Sequence, residues 1–470
     1  MRHLSLVTTL LAVLLVAALA PSAHASSGQR LVFQDNAKML GSPEATAQEL
    51  AGLGADVVKI QLYWSDVAPA GRNKPAGFDG SDPASYHWDV YPGAVREIIE
   101  AGMEPYLSLG GRAPRWATNG RGRAGTGRPS AKEFALFAQA AGRQFPNVHI
   151  WSIWNEPNLY SWLNPQRKGG VPQSPSIYRR LYLAGHDGLR SSGHGSDTIL
   201  LGELMPRGGR SKRKIRPLEF LREMVCLDRN FHRYRGRAAR RRGCGKVGRI
   251  PTSGLAYHPY TLSGGPRTRD LRGDAAIGQL RRVTKMTDAL ARRGKLPRRL
   301  PLWITEFGYQ TRPPDPVFGV SLKRAAGFMD VSEWIAFRNS RVASYSQYTL
   351  LDDAPRSGGR PFQRWSTWQS GLRFADGRAK PRVYGAFQLP FLVRSLGPDA
   401  VELFGGGRGA PGQVARVQAK VRGGRYRSLA NVPVNEAGYF RRIVRLKGAF
   451  RQTFRVTLGG LTRTKRPVAP

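Results

Sequence analysis

Short apolar runs of strand length alternate with stretches suited to helices along most of the chain, and this alternation limits the fold more than any other feature. Strand–helix alternation is typical of a parallel sheet covered by helices. Eight such units predict an α/β fold, a closed (β/α)8 TIM barrel, over residues 29–395. The predicted strands are, in order, "LVFQDN", "DVVKIQLYW", "EPYLSLGG", "VHIWSIWNEPN", "TILLGELMP", "SGLAYHPY", "LPLWITEFG" and "RVASYSQYTLL".

An open, doubly wound sheet is the alternative fold. Such a sheet usually carries a glycine-rich phosphate-binding turn after its first strand, and the segment "FQDNAKML" has none. Polar and aromatic residues cluster instead at the carboxyl end of each predicted strand. This is the end at which barrel enzymes place their chemistry, so we expect the functional residues there.

The last part of the chain has a different pattern. The segment "GLRFADGRAKPRVYGAFQLPFL" predicts a loop and a final barrel helix, and "GPDAVELFGGGRGAPG" marks a change in composition. From Val414 onwards, apolar and polar residues alternate between glycine-bearing turns. This pattern predicts a small C-terminal all-β domain, similar to a β-sandwich, over residues 398–470. The domain either holds the protein near an anionic surface or acts as a packing module.

The N-terminus resembles a cleaved secretory signal peptide, residues 1–25. It has a basic start, an apolar run from Leu10 to Ala20 and a small-x-small ending at Ala23–Ala25. The alternative is an uncleaved anchor, but the run is shorter than the roughly 20 residues that a membrane span requires. We therefore expect a secreted, extracellular protein with no membrane span in its mature chain.

The chain contains two cysteines, Cys226 and Cys244. Secretion favours a disulfide between them over two free thiols. Two cysteines without an organised group of histidines do not make a structural zinc site. We predict a disulfide, and we expect neither a metal nor a cofactor.

The chain carries a formal net charge of +42, which is extreme for a secreted globular protein. Residues 207–249 form a basic insertion with sixteen basic and three acidic residues. Such a surface can bind an anionic glycan or a cell-envelope polymer through counterion release. The alternative is an arginine-rich composition spread over a solvated surface. No nucleic-acid-binding motif is present, so nucleic acid is not an expected partner.

Two glutamates fall at the carboxyl ends of predicted strands. Glu156 ends the fourth strand in "WNEPN", and Glu306 ends the seventh in "WITEFG". The barrel brings these strand ends to one mouth although they are far apart in sequence. Two carboxylates that flank a substrate suit glycoside hydrolysis, because one protonates the leaving oxygen and the other attacks the anomeric carbon or activates water.

The two motifs "WNEPN" and "ITEFG" resemble the paired signatures of glycoside hydrolase clan A, the retaining β/α-barrel glycosidases. The resemblance spans roughly residues 30–395. It implies that Glu156 is the acid/base and Glu306 the nucleophile, acting on a polysaccharide or oligosaccharide. Within the clan, the chain looks most similar to the β-xylosidase and α-iduronidase family, with the cellulase-like family second.

Three polar residues near these glutamates are candidates for substrate binding. Asn155 precedes the acid, and its amide can donate to a sugar hydroxyl at the cleaved ring. The segment "AYHPY" ends strand six, where similar clan members often carry an aromatic residue or a histidine that contacts the nucleophile or the substrate. This resemblance makes His258 and Tyr260 candidates, and the alternative for His258 is a structural histidine.

Three further candidates, each with a structural alternative, are Lys59, Trp154 and Tyr345. Lys59 shares a strand face with Gln61 and Tyr63, but clan members often have arginine at this position; pairing with a buried carboxylate is the alternative role. Trp154 and Tyr345 lie near predicted loop ends, where flat rings can stack on sugars, although core packing is the commoner role of such rings. Glu203 ends strand five; we expect it to form a structural ion pair with an arginine, and the alternative is a third acidic contact in the site.

A second class of function uses the same residues differently. A barrel can keep its cleft and bind glycans without cleaving them, and the basic surface then serves adhesion to a cell envelope. The presence of both clan glutamates favours the enzyme. The sugar, the linkage and exo or endo action are not specified by these motifs.

Overall fold

The computed structural model describes most of the chain that follows the predicted signal peptide. The signal peptide itself lies outside the described residues. The described ranges are 28–119, 125–209, 211–245, 247–408, 412–421 and 423–469.

A closed barrel of eight parallel strands forms the centre of the molecule, so the predicted fold class is confirmed. Each strand pairs with the next one along the chain, and the eighth pairs with the first. The strands are β1 (Arg30–Gln34), β2 (Val57–Tyr63), β3 (Glu104–Gly110), β4 (Ile150–Ile153), β5 (Thr198–Leu204), β6 (Gly254–Tyr257), β7 (Leu302–Ile304) and β8 (Val342–Tyr348).

Helices cover the outside of the barrel. The helix Ala131–Gln144 is representative: the Ser130 side chain accepts a hydrogen bond from the Glu133 amide at its start, and Phe134 and Phe137 are buried on one face. The helices are α1 (Asn36–Gly41), α2 (Pro43–Gly52), α3 (Trp64–Val67), α4 (Tyr91–Glu100), α5 (Ala131–Gln144), α6 (Ser174–Ser191), α7 (Pro217–Met224), α8 (Gly236–Arg241), α9 (Leu280–Ala291), α10 (Leu322–Phe337), α11 (Pro361–Arg364) and α12 (Val383–Gln388).

Smaller elements occur in the connecting segments. Two pairs of two-residue strands lie after β4 and β7: Arg167–Lys168 with Val171–Pro172, and Thr311–Arg312 with Val320–Ser321. Short 3-10 turns span Pro83–Ser85, Arg115–Ala117, Ile277–Gln279 and Ala449–Arg451. None of the helices in the described part of the chain is long and apolar enough to cross a membrane.

The barrel interior changes from apolar to polar towards the carboxyl ends of the strands. A small apolar cluster that includes Val32, Val57 and Trp303 fills the lower part. Above it, Lys59 and Gln61 of β2 point inward, in register with Tyr106 and Ser108 of β3 respectively. The predicted placement of Lys59, Gln61 and Tyr63 on one strand face is confirmed. A polar upper layer of this kind surrounds the mouth of the barrel with hydrogen-bonding groups.

The C-terminal region is all-β and has its own apolar core. Its strands form one three-stranded and one four-stranded antiparallel sheet. The first strand begins before the predicted start of the domain at residue 398, in a segment expected to end a helix. The strands are β9 (Phe391–Gly397), β10 (Ala400–Gly406), β11 (Val414–Lys420), β12 (Arg427–Pro433), β13 (Tyr439–Arg445), β14 (Thr453–Leu458) and β15 (Leu461–Lys465).

The β domain packs against helix α10 of the barrel. The Phe337 ring lies 5.0 Å from the Phe404 ring, measured between centroids. Two carboxylates of α10 form buried ion pairs with the domain: Asp330 with Arg463 at 2.6 Å and Glu333 with Arg408 at 2.7 Å. These contacts support a packing role for the domain.

The predicted disulfide is present in the basic insertion. The sulfur atoms of Cys226 and Cys244 are 2.01 Å apart, and the Cα atoms are separated by 5.8 Å. The buried guanidinium of Arg179 donates to the carbonyls of Met224 and Gly243, at 2.6 Å each. The disulfide and Arg179 therefore join the two arms of the insertion to helix α6.

Candidate active site

An irregular turn after β4 directs Glu156 into the mouth of the barrel. Trp154 and Glu156 both adopt positive φ angles, 69° and 35°, which are uncommon for residues other than glycine and are often found at functional sites. The Glu156 amide donates to the Glu203 carbonyl at 3.0 Å. The Asn158 side-chain amide donates to the carbonyls of Met205 and Ile215, which fixes the other side of the turn. The Glu156 side chain remains 15% exposed.

Glu306 follows β7 and is held by contacts at both carboxylate oxygens. Its Oε1 lies 3.1 Å from the Lys59 ammonium. Its Oε2 accepts a hydrogen bond from the Tyr260 hydroxyl at 3.3 Å and lies 3.4 Å from His258 Nδ1. Glu306 is 8% exposed, so it faces the mouth in a fixed orientation.

Glu156 and Glu306 meet at one nitrogen atom. His258 Nδ1 lies 3.1 Å from Glu156 Oε1 and 3.4 Å from Glu306 Oε2. The separation of these two oxygens cannot exceed the total of the two distances. In inverting glycosidases the two carboxyl groups are about 6.5–9.5 Å apart, so the upper limit found here equals only the shortest of those separations. The separation of roughly 5–5.5 Å in retaining glycosidases falls below this limit.

Glu203, on β5, is the fully buried centre of the polar layer. Its Oε2 lies 2.6 Å from the Lys59 ammonium and 3.4 Å from His258 Nε2. Its Oε1 accepts hydrogen bonds from the Ser152 hydroxyl at 2.8 Å and from the Tyr106 hydroxyl. The expectation that Glu203 pairs with an arginine is wrong, because the barrel register brings Lys59 to it instead.

Opposite charges keep the buried groups ionised. Burial alone would lower the pKa of His258, but the charge of Glu306 and the contacts with Glu156 and Glu203 raise it to about 9. Burial opposes the charge of Lys59 in the same way, yet Glu203 and Glu306 raise its pKa above the usual value. For Glu203, burial is outweighed by Lys59 and His258, which hold the pKa of its carboxyl well below the usual range.

Asn155 lies beside the pair, with its side-chain amide already bonded. The amide lies 3.1 Å from Glu203 Oε2 and 3.2 Å from the Trp162 indole nitrogen, which orients its NH2 group towards Glu203 and its oxygen towards the indole. Asn155 therefore joins the buried carboxylate to an aromatic ring at the mouth. The Trp162 ring is parallel to the Tyr63 ring, with centroids 6.3 Å apart. Both rings are partly exposed and suit stacking on a sugar.

Three predicted substrate-binding residues do not face the mouth. Trp154 is fully buried; its ring packs on Phe134 and its indole donates to the Trp162 carbonyl at 3.1 Å, because its positive φ turns the side chain towards α5. Tyr345 is in register with the core residue Leu31 on the outer face of the barrel. Lys59 faces inward but is fully buried, and its ammonium contacts the carboxylates of Glu203 and Glu306.

Tyr260 and His258 are both beside Glu306, as their place at the end of strand six predicts. The sequence did not identify Tyr63 as a site residue. Its position after Lys59 and Gln61, on the inward face of β2, could have indicated it. The ring of Trp368, from the segment after β8, also lies 4.8 Å from the Tyr260 ring.

One group of side chains has the donor atoms of a metal site. Atoms of Glu203, His258 and Glu306 lie within 4.8 Å of one another. The Lys59 ammonium, however, contacts both carboxylates, at 2.6 and 3.1 Å. This side chain supplies the positive charge that a cation would bring, so the residues present do not fit a metal ion.

Comparison with known proteins gives distant structural neighbours alone. No protein-family model matches the chain, and no curated protein matches it. The chain is similar to a glucosidase from Croceicoccus marinus, with 12% identity, a TM-score of 0.49, and coverage of 90% of this chain and 98% of the other.

Two larger enzymes show a similar likeness. An FMN-binding beta-glucuronidase from Facaelibacterium prausnitzii L2-6 has 11% identity and a TM-score of 0.45, with 96% of this chain and 57% of the other covered. A beta-galactosidase from the psychrophilic Marinomonas ef1 has 12% identity and a TM-score of 0.45, with 76% and 58% covered. The chain thus spans little more than half of these two proteins, and similarity at this level does not assign an activity to it.

Proposed function

We propose that the chain is a secreted retaining glycoside hydrolase that cleaves an oligosaccharide or polysaccharide by double displacement. The observation that carries the proposal is the meeting of Glu156 and Glu306, from strand ends four and seven, at one nitrogen of His258. The limit that these two contacts set on the oxygen separation admits the roughly 5–5.5 Å of retaining enzymes, and carboxylates so placed at the mouth of a barrel suit attack by one of them on the anomeric carbon.

In the first step, Glu306 attacks the anomeric carbon and forms a glycosyl ester, while protonated Glu156 gives its proton to the departing oxygen. In the second step, Glu156 takes a proton from water, and the water oxygen displaces Glu306 from the anomeric carbon. The carboxylate of Glu306 is restored, and Glu156 is again protonated. The configuration at the anomeric carbon is therefore retained.

The neighbouring side chains suit these two roles. Lys59 and Tyr260 hold Glu306 by one oxygen each, which fixes the carboxylate for attack. His258, whose raised pKa keeps it protonated near neutral pH, lies within hydrogen-bond distance of Glu156. His258 can therefore donate a hydrogen bond to the Glu156 carboxylate that forms when the leaving group departs, and Glu156 is left free to take a proton from water in the second step.

Two features support an extracellular location. The first 25 residues have the pattern of a secretory signal peptide, and the Cys226–Cys244 disulfide is of the kind that persists in oxidising compartments. Fractionation of producing cells should place the mature protein, starting near Ser26, in the medium. Recovery of the uncleaved chain from the cell interior would contradict secretion.

Variants of the two glutamates test the catalytic roles on a panel of chromogenic β-glycosides. Glu306→Ala should abolish turnover of every substrate. Glu156→Ala should retain the first step for substrates whose leaving group needs no proton, and added azide should restore its turnover with a retained product. Glu100→Ala, an exposed carboxylate on α4, is the matched control and should behave like the wild type.

The competing hypothesis is a non-catalytic glycan-binding protein. It predicts that the wild type binds a glycan of the panel with no release of chromophore or reducing sugar, and that azide restores nothing in Glu156→Ala. That result would overturn the proposed activity while leaving the cleft as a binding site.

A further inference from the structure

The segment after β8 forms a loop that closes on itself beside the mouth. This strand-eight loop comprises residues 353–370. At its base, the Asp353 amide donates to the Trp368 carbonyl at 2.8 Å, and the Trp368 amide donates to Asp353 Oδ2 at 3.0 Å. Further out, the Arg356 amide donates to the Arg364 carbonyl at 2.9 Å. These three hydrogen bonds close the loop, which lies at the face where the carboxyl ends of the strands meet.

The inner end of the strand-eight loop reaches the nucleophile through one ring. Trp368 is partly exposed, and its ring centroid lies 4.8 Å from that of Tyr260. The Tyr260 hydroxyl donates to Glu306 Oε2 at 3.3 Å. Tyr260 therefore links the strand-eight loop to Glu306.

The outer part of the loop exposes an aromatic face. Phe362 is 65% exposed, which is the second-highest value among the large exposed apolar residues of the described chain. Its ring packs edge-on against Phe318 of the neighbouring β7 loop, with centroids 5.2 Å apart. Trp365 lies between Phe362 and Trp368 in sequence and is partly exposed. Flat rings exposed beside a cleft can stack on the apolar faces of sugars.

The same loop carries positive charge without acidic partners. Arg356, Arg360 and Arg364 are exposed, and none of them forms an ion pair with a described residue. Asp353 is the loop's one carboxylate, and its Oδ2 faces the Trp368 amide at the base. Free guanidinium groups bind carboxylates through two parallel hydrogen bonds.

We propose that the strand-eight loop is the wall of the cleft that binds an acidic oligosaccharide, with the rings of Phe362 and Trp365 stacked on sugar faces and Arg356 and Arg364 paired with sugar carboxylates. The proposal rests on the glycosidase function, since it makes this loop the element that selects the substrate.

Binding of two matched probes to the full chain tests the loop. Oligogalacturonate carries carboxylates, and its methyl ester has the same backbone without charge. Isothermal calorimetry at constant ionic strength should show tighter binding of oligogalacturonate. Arg356→Gln/Arg364→Gln should weaken that binding by about tenfold or more, because the loss of each charge-assisted hydrogen bond lowers the affinity. Phe362→Ala should weaken the binding of both probes.

The control is Arg237→Gln/Arg240→Gln on α8, which lowers the net charge equally and should change affinity by less than about twofold. Equal weakening by both double variants, or tighter binding of the ester, would overturn the proposal. Tighter binding of single-stranded DNA than of oligogalacturonate would overturn it as well. An unchanged melting temperature of each variant excludes misfolding as the cause of lost binding.

The outcome is separable from that of the glycosidase proposal. If the loop variants alone lose oligogalacturonate while no glycoside is cleaved by the wild type, the loop remains an acidic-saccharide site and the catalytic role fails. If chromogenic glycosides are cleaved and the loop variants bind oligogalacturonate as the wild type does, the catalytic role stands. The proposal that the strand-eight loop binds acidic saccharides is then wrong.

Discussion

Two buried lysine–carboxylate pairs have the same nitrogen–oxygen distance, but their pKa values shift in opposite directions. Lys59 lies 2.6 Å from Glu203 in the active site, and Lys380 lies 2.6 Å from Asp352 at the base of the strand-eight loop. The pKa of Lys59 is raised and that of Glu203 lowered, so both stay ionised. Burial instead lowers the pKa of Lys380 to about 8 and raises that of Asp352 to about 6.

The number of partners explains the difference. Lys59 contacts a second carboxylate, Glu306, and Glu203 also accepts hydrogen bonds from two hydroxyls. Lys380 has one carboxylate and a backbone carbonyl, and Asp352 Oδ2 has no hydrogen-bond partner among the described residues. A buried charge pair therefore stays charged here when further polar groups share its desolvation cost, and an isolated pair moves towards neutrality.

The largest expected effect is that of neutralising Glu203. Glu203→Gln leaves Lys59 and His258 without their shared carboxylate, and we expect a loss of about 3–5 kcal/mol in the free energy of unfolding. We also expect kcat/KM to fall by about 100-fold, because Glu203 no longer holds Lys59 and His258, the charged neighbours of Glu306, in place. Denaturant unfolding and steady-state kinetics measure the two effects.

Asp352→Asn is the matched change in the other pair. It removes the burial cost of the carboxylate together with its attraction to Lys380, so stability should change by about 1 kcal/mol or less. Equal losses in the two variants would show that the number of partners does not separate the pairs.

Double-mutant cycles sharpen the comparison. Lys59→Met combined with Glu203→Gln should reveal a coupling of about 2–3 kcal/mol in stability, whereas Lys380→Met combined with Asp352→Asn should show less than about 1 kcal/mol. A larger coupling at Lys380 would reverse the order that the shared contacts predict.

The pH dependence of stability should have opposite signs in the two regions. The folded pKa of His258, about 9, exceeds its ordinary value of 6.5, so its stabilisation is fully present below 6.5 and is lost as pH rises through about 9. The folded pKa of Lys380, about 8, is below its ordinary 10.5, so its cost is greatest below about 8 and disappears as pH rises towards 10.5.

Melting temperatures across this pH range test both signs. Relative to His258→Gln, the wild type should lose stability as pH rises from 6.5 through about 9. Relative to Lys380→Met, it should gain stability as pH rises through about 8. Parallel profiles for the wild type and His258→Gln would show that His258 is not held protonated.

The smallest expected effect concerns one hydroxyl. Ser152→Ala removes a hydrogen bond to Glu203 and should cost about 1 kcal/mol in stability. Ser108 is equally buried in the barrel interior, but its hydroxyl has no hydrogen-bond partner among the described residues. Ser108→Ala should therefore be nearly neutral, and an equal cost for both serines would indicate lost packing rather than lost support of Glu203.

The barrel was predictable because its strands and helices alternate with strong periodicity over long segments. Strand β9 was not, because "FLVRSL" is a short apolar run that fits the end of a helix as well as a strand. The short helix α12 ends just before it, so one apolar stretch serves both elements.

The site was predictable in part. The positions of Glu156, Glu306, His258 and Tyr260 follow from strand ends alone. The partner of Glu203 does not, since it depends on which residues of β2 and β5 meet across the barrel. The burial of Trp154 was hidden as well, because a left-handed backbone at one residue reverses the inward–outward alternation on which the prediction relied.

The configuration of the first-formed sugar tests the catalytic account most directly. Proton NMR of a reaction with a chromogenic β-glycoside distinguishes the anomers before mutarotation mixes them. Attack by Glu306 followed by water activated by Glu156 predicts that the β-anomer appears first, with the configuration of the substrate. An α-anomer that appears first would contradict the double displacement and, with it, the assignment of Glu306 as the nucleophile.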